Sequence, residues 1–256
     1  MTKLSIRDIE ARLSSITDEQ DPFLRELSRD ERKGVALLLE KWNKARLGAE
    51  KMKAKFSEMA VFEKKARQQG YKLIAGTDEA GRGPLAGPVA AAAVILPEDF
   101  FLPGLDDSKK LTAKKREEHE QIIKRSAISF SVCLIGPEEI DELNIYQASI
   151  KAMKAAIAGL SPLPDYVLAD AVKLDMPFPS EAIIKGDAKS ISIAAASILA
   201  KNERDRFMKK IAEQYPAYGF EKNMGYGTKE HMEAIAKFGI TPHHRKSFAP
   251  VKQAEK

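Results

Sequence analysis

Asp78 and Glu79 stand side by side at the end of the apolar run Leu73-Ile74-Ala75-Gly76-Thr77, and Gly81-Arg82-Gly83-Pro84 follows at once. Ionised carboxylates are costly to bury unless they are paired or bound to a cation. A strand end that delivers two acids to one place points to a metal or proton-transfer site; taken alone, the pair serves equally well as two solvated turn acids. Asp170 ends a second apolar run, Tyr166-Val167-Leu168-Ala169, and Asp187 follows a third, Ala182-Ile183-Ile184-Lys185-Gly186. Open α/β sheets collect ligands at the carboxyl ends of their strands, so these three ends could converge. Four carboxylates without a cysteine cluster make a hard, oxygen-rich site, suited to Mg²⁺ or Mn²⁺ rather than zinc. The chemistry that most often needs such a site is phosphoryl transfer with two metal ions.

The elements that must position these acids lie beyond residue 70. The pattern predicts strands at 72–77, 86–96, 129–136, 166–170 and 181–185, and helices at 112–126, 144–158, 190–214 and 228–238. Three early strands suggest antiparallel meanders, and later alternation with helices suggests parallel crossovers. The expected fold class is α/β, a mixed sheet covered by helices. Ile74, Gly76 and Asp78 share one strand face. Adjacent Glu79 would face the other way, so it joins the site only if the chain turns after Asp78, a turn that Gly81 and Gly83 permit.

Residues 1–70 have no strand-like run. Ser5 can cap a short helix, with Ile6, Ile9 and Leu13 on one face, and Asp21-Pro22 is a second helix start. Val35, Leu38, Trp42, Ala45, Ala49, Met52, Phe56 and Met59 form an apolar seam at spacings of three and four. A coiled-coil dimer would use such a seam, but a helix packed within its own chain is the commoner case. Gln68-Gln69-Gly70 reads as the boundary. The expected division is a helical basic extension over 1–70, able to add affinity for a polyanion, and a domain over 71–256 that carries the acids and their chemistry. A chain starting near Gly70 is expected to keep its fold and its chemistry, with weaker binding.

The 256 residues suffice for one ample domain with an extension, and 44% hydrophobic with 31% charged content is that of a soluble globular protein. No apolar run approaches the roughly 20 residues of a membrane span. The N-terminus lacks the apolar core of a leader, and lone Cys133 cannot form an internal disulfide and reads as a small buried hydrophobe. A cytoplasmic monomer is expected. Net charge is +5, unevenly spread. Residues 1–70 carry 16 Lys/Arg against 12 Asp/Glu, residues 71–200 carry 14 against 18, and residues 201–256 carry 12 against 7. An acidic centre with basic flanks suits a metal enzyme acting on a polyanion.

The motifs together resemble the ribonuclease HII family, the type 2 ribonucleases H. The matching pieces are Gly76-Thr77-Asp78-Glu79-Ala80-Gly81-Arg82-Gly83-Pro84-Leu85-Ala86-Gly87-Pro88-Val89, Asp107-Ser108-Lys109-Lys110-Leu111, Ala169-Asp170, Lys185-Gly186-Asp187, Ile193-Ala194-Ala195-Ala196-Ser197-Ile198-Leu199-Ala200-Lys201 and Gly225-Tyr226-Gly227-Thr228. They cover about residues 71–248; residues 1–70 lie outside this core. The resemblance implies an RNase H-like mixed five-stranded sheet flanked by helices. It implies an endonuclease that cuts RNA in RNA–DNA hybrids and at ribonucleotides embedded in duplex DNA, leaving 5′-phosphate and 3′-hydroxyl ends. It implies that Asp78, Glu79, Asp170 and Asp187 are the catalytic, metal-binding acids for two Mn²⁺ or Mg²⁺ ions. It implies that Gly81-Arg82-Gly83 senses the ribonucleotide and that Tyr226 recognises the RNA-to-DNA junction. Lys109 and Lys110 could hold phosphates.

Each residue also has a plainer role. Asp187 could cap the helix that begins at Ile191, Arg82 could pair with an acid, Tyr226 could be a packed aromatic, and Lys109 and Lys110 could be solvated surface. His243-His244 has the composition of a metal site, yet adjacent imidazoles often point apart, and ligating pairs on a helix sit four residues apart. A non-catalytic nucleic-acid-binding module, or a DNA junction nuclease on the same fold, are the competing functions. Four convergent acids argue against the first, and the glycine-arginine-glycine loop with Tyr226 against the second.

Overall fold

A computed structural model describes residues 4–254; residues 1–3, part of the stretch read above for a leader, and residues 255–256 lie outside it. The chain parts into two compact units, residues 1–57 and 58–256.

In the first unit, local chemistry starts each helix. Ser5 accepts the Asp8 N–H at 3.2 Å at the head of α1 (Ile6–Leu13). Asp21 accepts the Phe23 N–H at 2.8 Å at the head of α2 (Pro22–Leu27), with Pro22 in the first turn. Ile9, Leu13, Phe23, Leu24, Leu27 and Val35 bury together, with Leu38, Leu39 and Trp42 half-buried against them. The last three and Val35 come from α3 (Lys33–Met59). Past Trp42 the seam opens, with Ala45 and Met52 exposed alongside Lys51 and Lys53, while Lys55 is half-buried; Phe56 and Met59 are buried again. The expectation of a seam packed along its whole length is thus corrected, and the cause is length. At about 1.5 Å per residue, α1 and α2 reach about 12 and 9 Å, against about 40 Å for α3.

The second unit starts from the end of α3 and continues through α4 (Val61–Gln68), β1 (Ile74–Ala80), β2 (Val89–Ile95), α5 (Ala113–Ser126), β3 (Ser129–Ile135), α6 (Pro137–Leu143), α7 (Ile145–Ala158), β4 (Tyr166–Asp170), β5 (Ser180–Ile183), α8 (Ile191–Gln214), α9 (Phe220–Asn223), α10 (Lys229–Phe238) and α11 (Ala249–Ala254). The described strands form one sheet in the order β3-β2-β1-β4-β5. β1, β2 and β3 run antiparallel, and β4 and β5 run parallel to β1. The expected mixed five-stranded sheet is therefore present. Its connections differ from a simple alternation: α5 sits between antiparallel β2 and β3, and only residues 171–179, without a helix, join parallel β4 and β5. Cys133 lies on edge strand β3, where one side is uncovered, so it is half-buried rather than buried. No helix among the described residues is long and apolar enough to cross a membrane.

The two sheet faces are covered differently. Ala75, Ala91, Ala93, Val167 and Ala169 pack with Ala148, Ala152, Met153 and Ala156 of α7. On the opposite face, Ile74, Leu168 and Ile183 pack with Ala66 of α4 and Ile193 of α8. Gly76 lets α8 come this close, because a Cβ there would lie 2.1 Å from the Ser192 carbonyl carbon. The alanine-rich residues 194–196 are fully buried, as a close-packed helix requires. The head of α8 is held by Ser190, whose hydroxyl accepts the Ile193 N–H at 3.2 Å. It is also held from α4, where Glu63 Oε1 accepts the Ser190 hydroxyl at 2.6 Å and the Ser192 N–H at 2.9 Å.

Candidate active site

The strand ends deliver the acids as the spacing suggested, with one change. β1 does not turn after Asp78; it stays paired with β2 through Glu79↔Ala91 and Ala80↔Ala90. On its other side the pairing with β4 stops at Thr77↔Ala169. Beyond that rung the β4-facing edge of β1 is open, and a long glutamate side chain can reach the site around it. Asp170 closes β4, and its Oδ1 accepts the Gly186 N–H at 2.6 Å, fixing the turn that carries Asp187. Asp187 lies in the 3-10 turn Gly186–Ala188 and does not cap α8, a task taken by Ser190 and Glu63.

The four acids feel one another. Burial, then Glu79 and Asp170, hold the Asp78 carboxyl well above the usual carboxylate range; the Glu79 N–H opposes the shift at 2.7 Å and Asp187 adds to it. Burial raises Glu79, Arg82 pulls it back, and Asp170 raises it again, with a net upward shift. Asp187 is raised by burial, then by Asp107 and Asp170, against the pull of Lys109. Repulsion and burial of this kind are what a bound cation relieves.

The residues fit a divalent ion. Every donor is a carboxylate oxygen, and Glu79 Oε2 is buried without a hydrogen-bond partner while Oε1 takes the Arg82 guanidinium at 3.2 Å. Among the described residues no three such side chains converge within metal-ligand distance.

The other candidates separate. Burial pushes the Lys109 ammonium down, but Asp107, Asp187, Asp78 and Asp170 together outweigh it and hold it above its ordinary value, so this lysine stands over the acids. Lys110 instead pairs with Asp106 at 3.4 Å and stays exposed, so the two lysines do not act as a pair. Arg82 is half-exposed at the rim. Tyr226 is about half-exposed, and a Cβ on Gly83 would meet its ring at 3.6 Å, placing the tyrosine beside the Gly81-Arg82-Gly83 loop.

The two glycines of that loop differ. Gly81 has φ +91°, and a Cβ there would lie 2.0 Å from Arg204 Nε, whereas Gly83 meets only ordinary contact and has no positive φ. Gly81→Ala should therefore cost about 1–3 kcal/mol of stability from overpacking. Gly83→Ala should leave stability within about 0.5 kcal/mol but cut activity, because its space faces outward. Thermal unfolding and turnover of both variants check this; a Gly83→Ala enzyme of full activity would place Gly83 outside the site.

Several participants escaped sequence reading. Asp107, quoted only as part of a motif, lies close enough to Asp187 to raise its carboxyl and accepts the Lys109 N–H at 2.9 Å. Arg204 and Arg245 are almost wholly buried and donate to main-chain oxygens of the 81–88 loop: Arg204 to Pro88 and Ala86, Arg245 to Gly81, Arg82 and Gly87. Arg204 stands between Glu203 and Asp205 in sequence, as a solvated helix residue would, and nothing local marks either arginine as buried. His243-His244 is not a metal pair, since His243 packs edge-on to Tyr215 and His244 turns inward to His231.

Comparison with known proteins matches two family models, "Ribonuclease HII" over residues 75–251 and "Ribonuclease HII N-terminal domain" over residues 5–67. The extension lies outside the core match, as read from the sequence, and is itself shared with relatives through the N-terminal domain match. Ribonuclease HII of Bacillus cereus strain AH820 is 56% identical over 252 residues, covering 98% of each chain. The crystal structure of ribonuclease H2 from Pyrococcus horikoshii OT3 aligns with a TM-score of 0.62 at 28% identity, covering 71% of this chain and 96% of that one. The enzyme in the structure of the PCNA:RNase HII complex from Archaeoglobus fulgidus aligns at 0.58 and 28% identity, covering 68% and 93%.

Proposed function

We propose that this chain, which belongs to the ribonuclease HII family, cuts both RNA in RNA–DNA hybrids and single ribonucleotides embedded in duplex DNA, using two Mn²⁺ or Mg²⁺ ions. It is an endonucleolytic ribonuclease H. The observation that carries the finer reading is the meeting of Asp78, Glu79, Asp170 and Asp187, with an unpartnered buried Glu79 oxygen, beside the loop that Tyr226 flanks.

Asp78, Glu79, Asp170 and Asp187 would hold the ions, which supply water activation and stabilisation of the leaving 3′-oxygen. Lys109, held over the acids, supplies the positive charge that offsets their repulsion of a phosphate. Gly81, Arg82 and Gly83 approach the 2′-hydroxyl, the group that separates RNA from DNA. Arg82 holds Glu79 until substrate or ion takes its place. Tyr226 stacks on the sugar at the junction. Lys110 is exposed for a distal phosphate contact, and the basic 1–70 segment adds affinity for the duplex. The proposal includes 5′-phosphate and 3′-hydroxyl ends and a monomer working in the cytoplasm.

The test is a duplex with one ribonucleotide incubated with Mg²⁺, Mn²⁺ or EDTA, beside an all-DNA duplex and a long hybrid. Metal-dependent cutting at the ribonucleotide is expected. Equal cutting of the all-DNA duplex, or none with either metal, overturns the reading. Tyr226→Ala should reduce cutting of the embedded ribonucleotide about tenfold to hundredfold, the worth of one stacked contact at ~1–3 kcal/mol, and should reduce hybrid binding less. Unchanged activity on both substrates would remove Tyr226 from the site.

A further inference from the structure

His244 is buried and meets His231 with 3.0 Å between the two Nε2 atoms. The neighbouring bonds fix which nitrogens carry protons. The Thr241 N–H donates to His244 Nδ1 at 2.9 Å, so the His244 proton sits on Nε2. That proton is donated to His231 Nε2, which leaves the His231 proton on Nδ1, where it is donated to the Tyr226 carbonyl at 2.9 Å. The chain works only with both rings neutral. Burial lowers His231, and burial with His231's repulsion brings His244 to about 4.

The next residue holds the other loop. Arg245 donates to Gly81 O at 2.6 Å, Arg82 O at 2.8 Å and Gly87 O at 3.0 Å. Its own N–H donates to Leu85 O, and Gly87 N–H donates to His243 O, both at 2.8 Å. Leu85 N–H in turn donates to Gly225 O at 2.8 Å. A trans peptide is planar, with C=O and N–H opposed. Fixing the Gly81 and Arg82 carbonyls toward Arg245 therefore aims the Arg82 and Gly83 N–H groups the opposite way, and neither has a partner among the described residues.

We propose that residues 241–245 are a positioning element that locks the two substrate-reading loops, 81–87 and 225–227, into one frame, with His244 acting through His231 on Tyr226 and Arg245 acting on the peptide units at 81–83. This rests on the reading of Tyr226 and of the Gly81-Arg82-Gly83 loop given above. His231, His244 and Arg245 are positioning residues; none of them touches substrate in this account.

The test measures kcat and KM for full-length His231→Gln, Arg245→Lys, Tyr226→Ala and the His231→Gln/Tyr226→Ala double variant. Substrates are a duplex with one ribonucleotide and a long RNA–DNA hybrid. His231→Gln should lower kcat/KM for the embedded ribonucleotide about tenfold more than for the hybrid, and that loss should vanish in the Tyr226→Ala background, as for coupled neighbours. Arg245→Lys keeps the charge but loses the fork, and should lower kcat/KM on both substrates. His231→Asn places an amide near Nδ1, restores the donor to Tyr226 and should recover part of the embedded-ribonucleotide rate; it also stands in should His231→Gln not fold. Equal loss on both substrates from His231→Gln, or full additivity with Tyr226→Ala, overturns the inference. If Tyr226→Ala itself leaves the substrate ratio unchanged, the reading of Tyr226 fails first, and the role assigned to His231 and His244 falls with it.

Discussion

Asp78→Asn and Asp170→Asn will fold and will cut at least about a thousandfold more slowly than the wild type, the loss of several kcal/mol of metal-supplied stabilisation. On the proposed two-metal reading, each keeps the shape of the side chain and removes one negative ligand from acids that would still have to hold two dications. Asp78 also makes an opposite prediction for stability. Its carboxyl is buried, and its folded pKa stands above the ordinary 3.8 because burial, Glu79 and Asp170 all oppose its charge. A group that binds its proton more tightly when folded loses stability as pH rises above its unfolded value. Asparagine has no proton to lose. Without metal, Asp78→Asn should therefore melt above the wild type at pH 7, and the gap should close as pH falls toward 4. Mn²⁺ or Mg²⁺ should raise the wild-type Tm and barely move that of the variant. Melting curves in EDTA and in each metal, with single-turnover cutting, check both halves. A variant within a few-fold of wild-type rate would remove its residue from the site.

What the sequence could show of this site follows from where the information is stored. The acids at 78, 170 and 187 each end an apolar run, so one-dimensional pattern and the rule of strand ends were enough to gather them. Glu79 was harder. Alternation sends it to the wrong face, and only the sheet shows that β4 ends one rung earlier and leaves the edge open. That the sheet is mixed was legible from the shift between meander and crossover, but its strand order and the bare 171–179 connection were not, since no periodicity marks a loop that carries parallel strands. Lys109 and Lys110 are adjacent and identical in sequence; only the fold turns one toward the acids and the other toward Asp106. Arg204, Arg245 and the His231–His244 pair act on carbonyls and on each other across gaps of up to 164 residues. Nothing in their local sequence signals those partners.

A chain that starts at Glu58 will fold and cut, whereas one that starts at Gly70 will lose about 4 kcal/mol or more of stability. The two chains together test the boundary read from Gln68-Gln69-Gly70. The compact units part at 57/58, so α4 belongs with the sheet although the N-terminal family match extends to residue 67. Starting at Gly70 removes Glu63, whose Oε1 takes the Ser190 hydroxyl and the Ser192 N–H at the head of α8. Leaving such donors without an acceptor costs about 1–3 kcal/mol each. It also removes Ala66 and Phe62 from their cluster with Ile74, Leu168, Ile183 and Ile193. The consequence reaches the chemistry, because the head of α8 rests directly on Gly76, two residues before Asp78 on the same strand face. A Tm lower by about 10 °C is expected for the shorter chain, with loss of cutting well below that temperature. Glu63→Gln in the full chain keeps an acceptor and should cost less. Both truncated chains should bind hybrid more weakly, with a flatter salt dependence, having lost the lysines of α3. Equal melting temperatures for the two would show that α4 contributes nothing to the catalytic unit. An unchanged affinity and salt slope in the Glu58 chain would reject a binding role for the first unit while leaving its fold untouched.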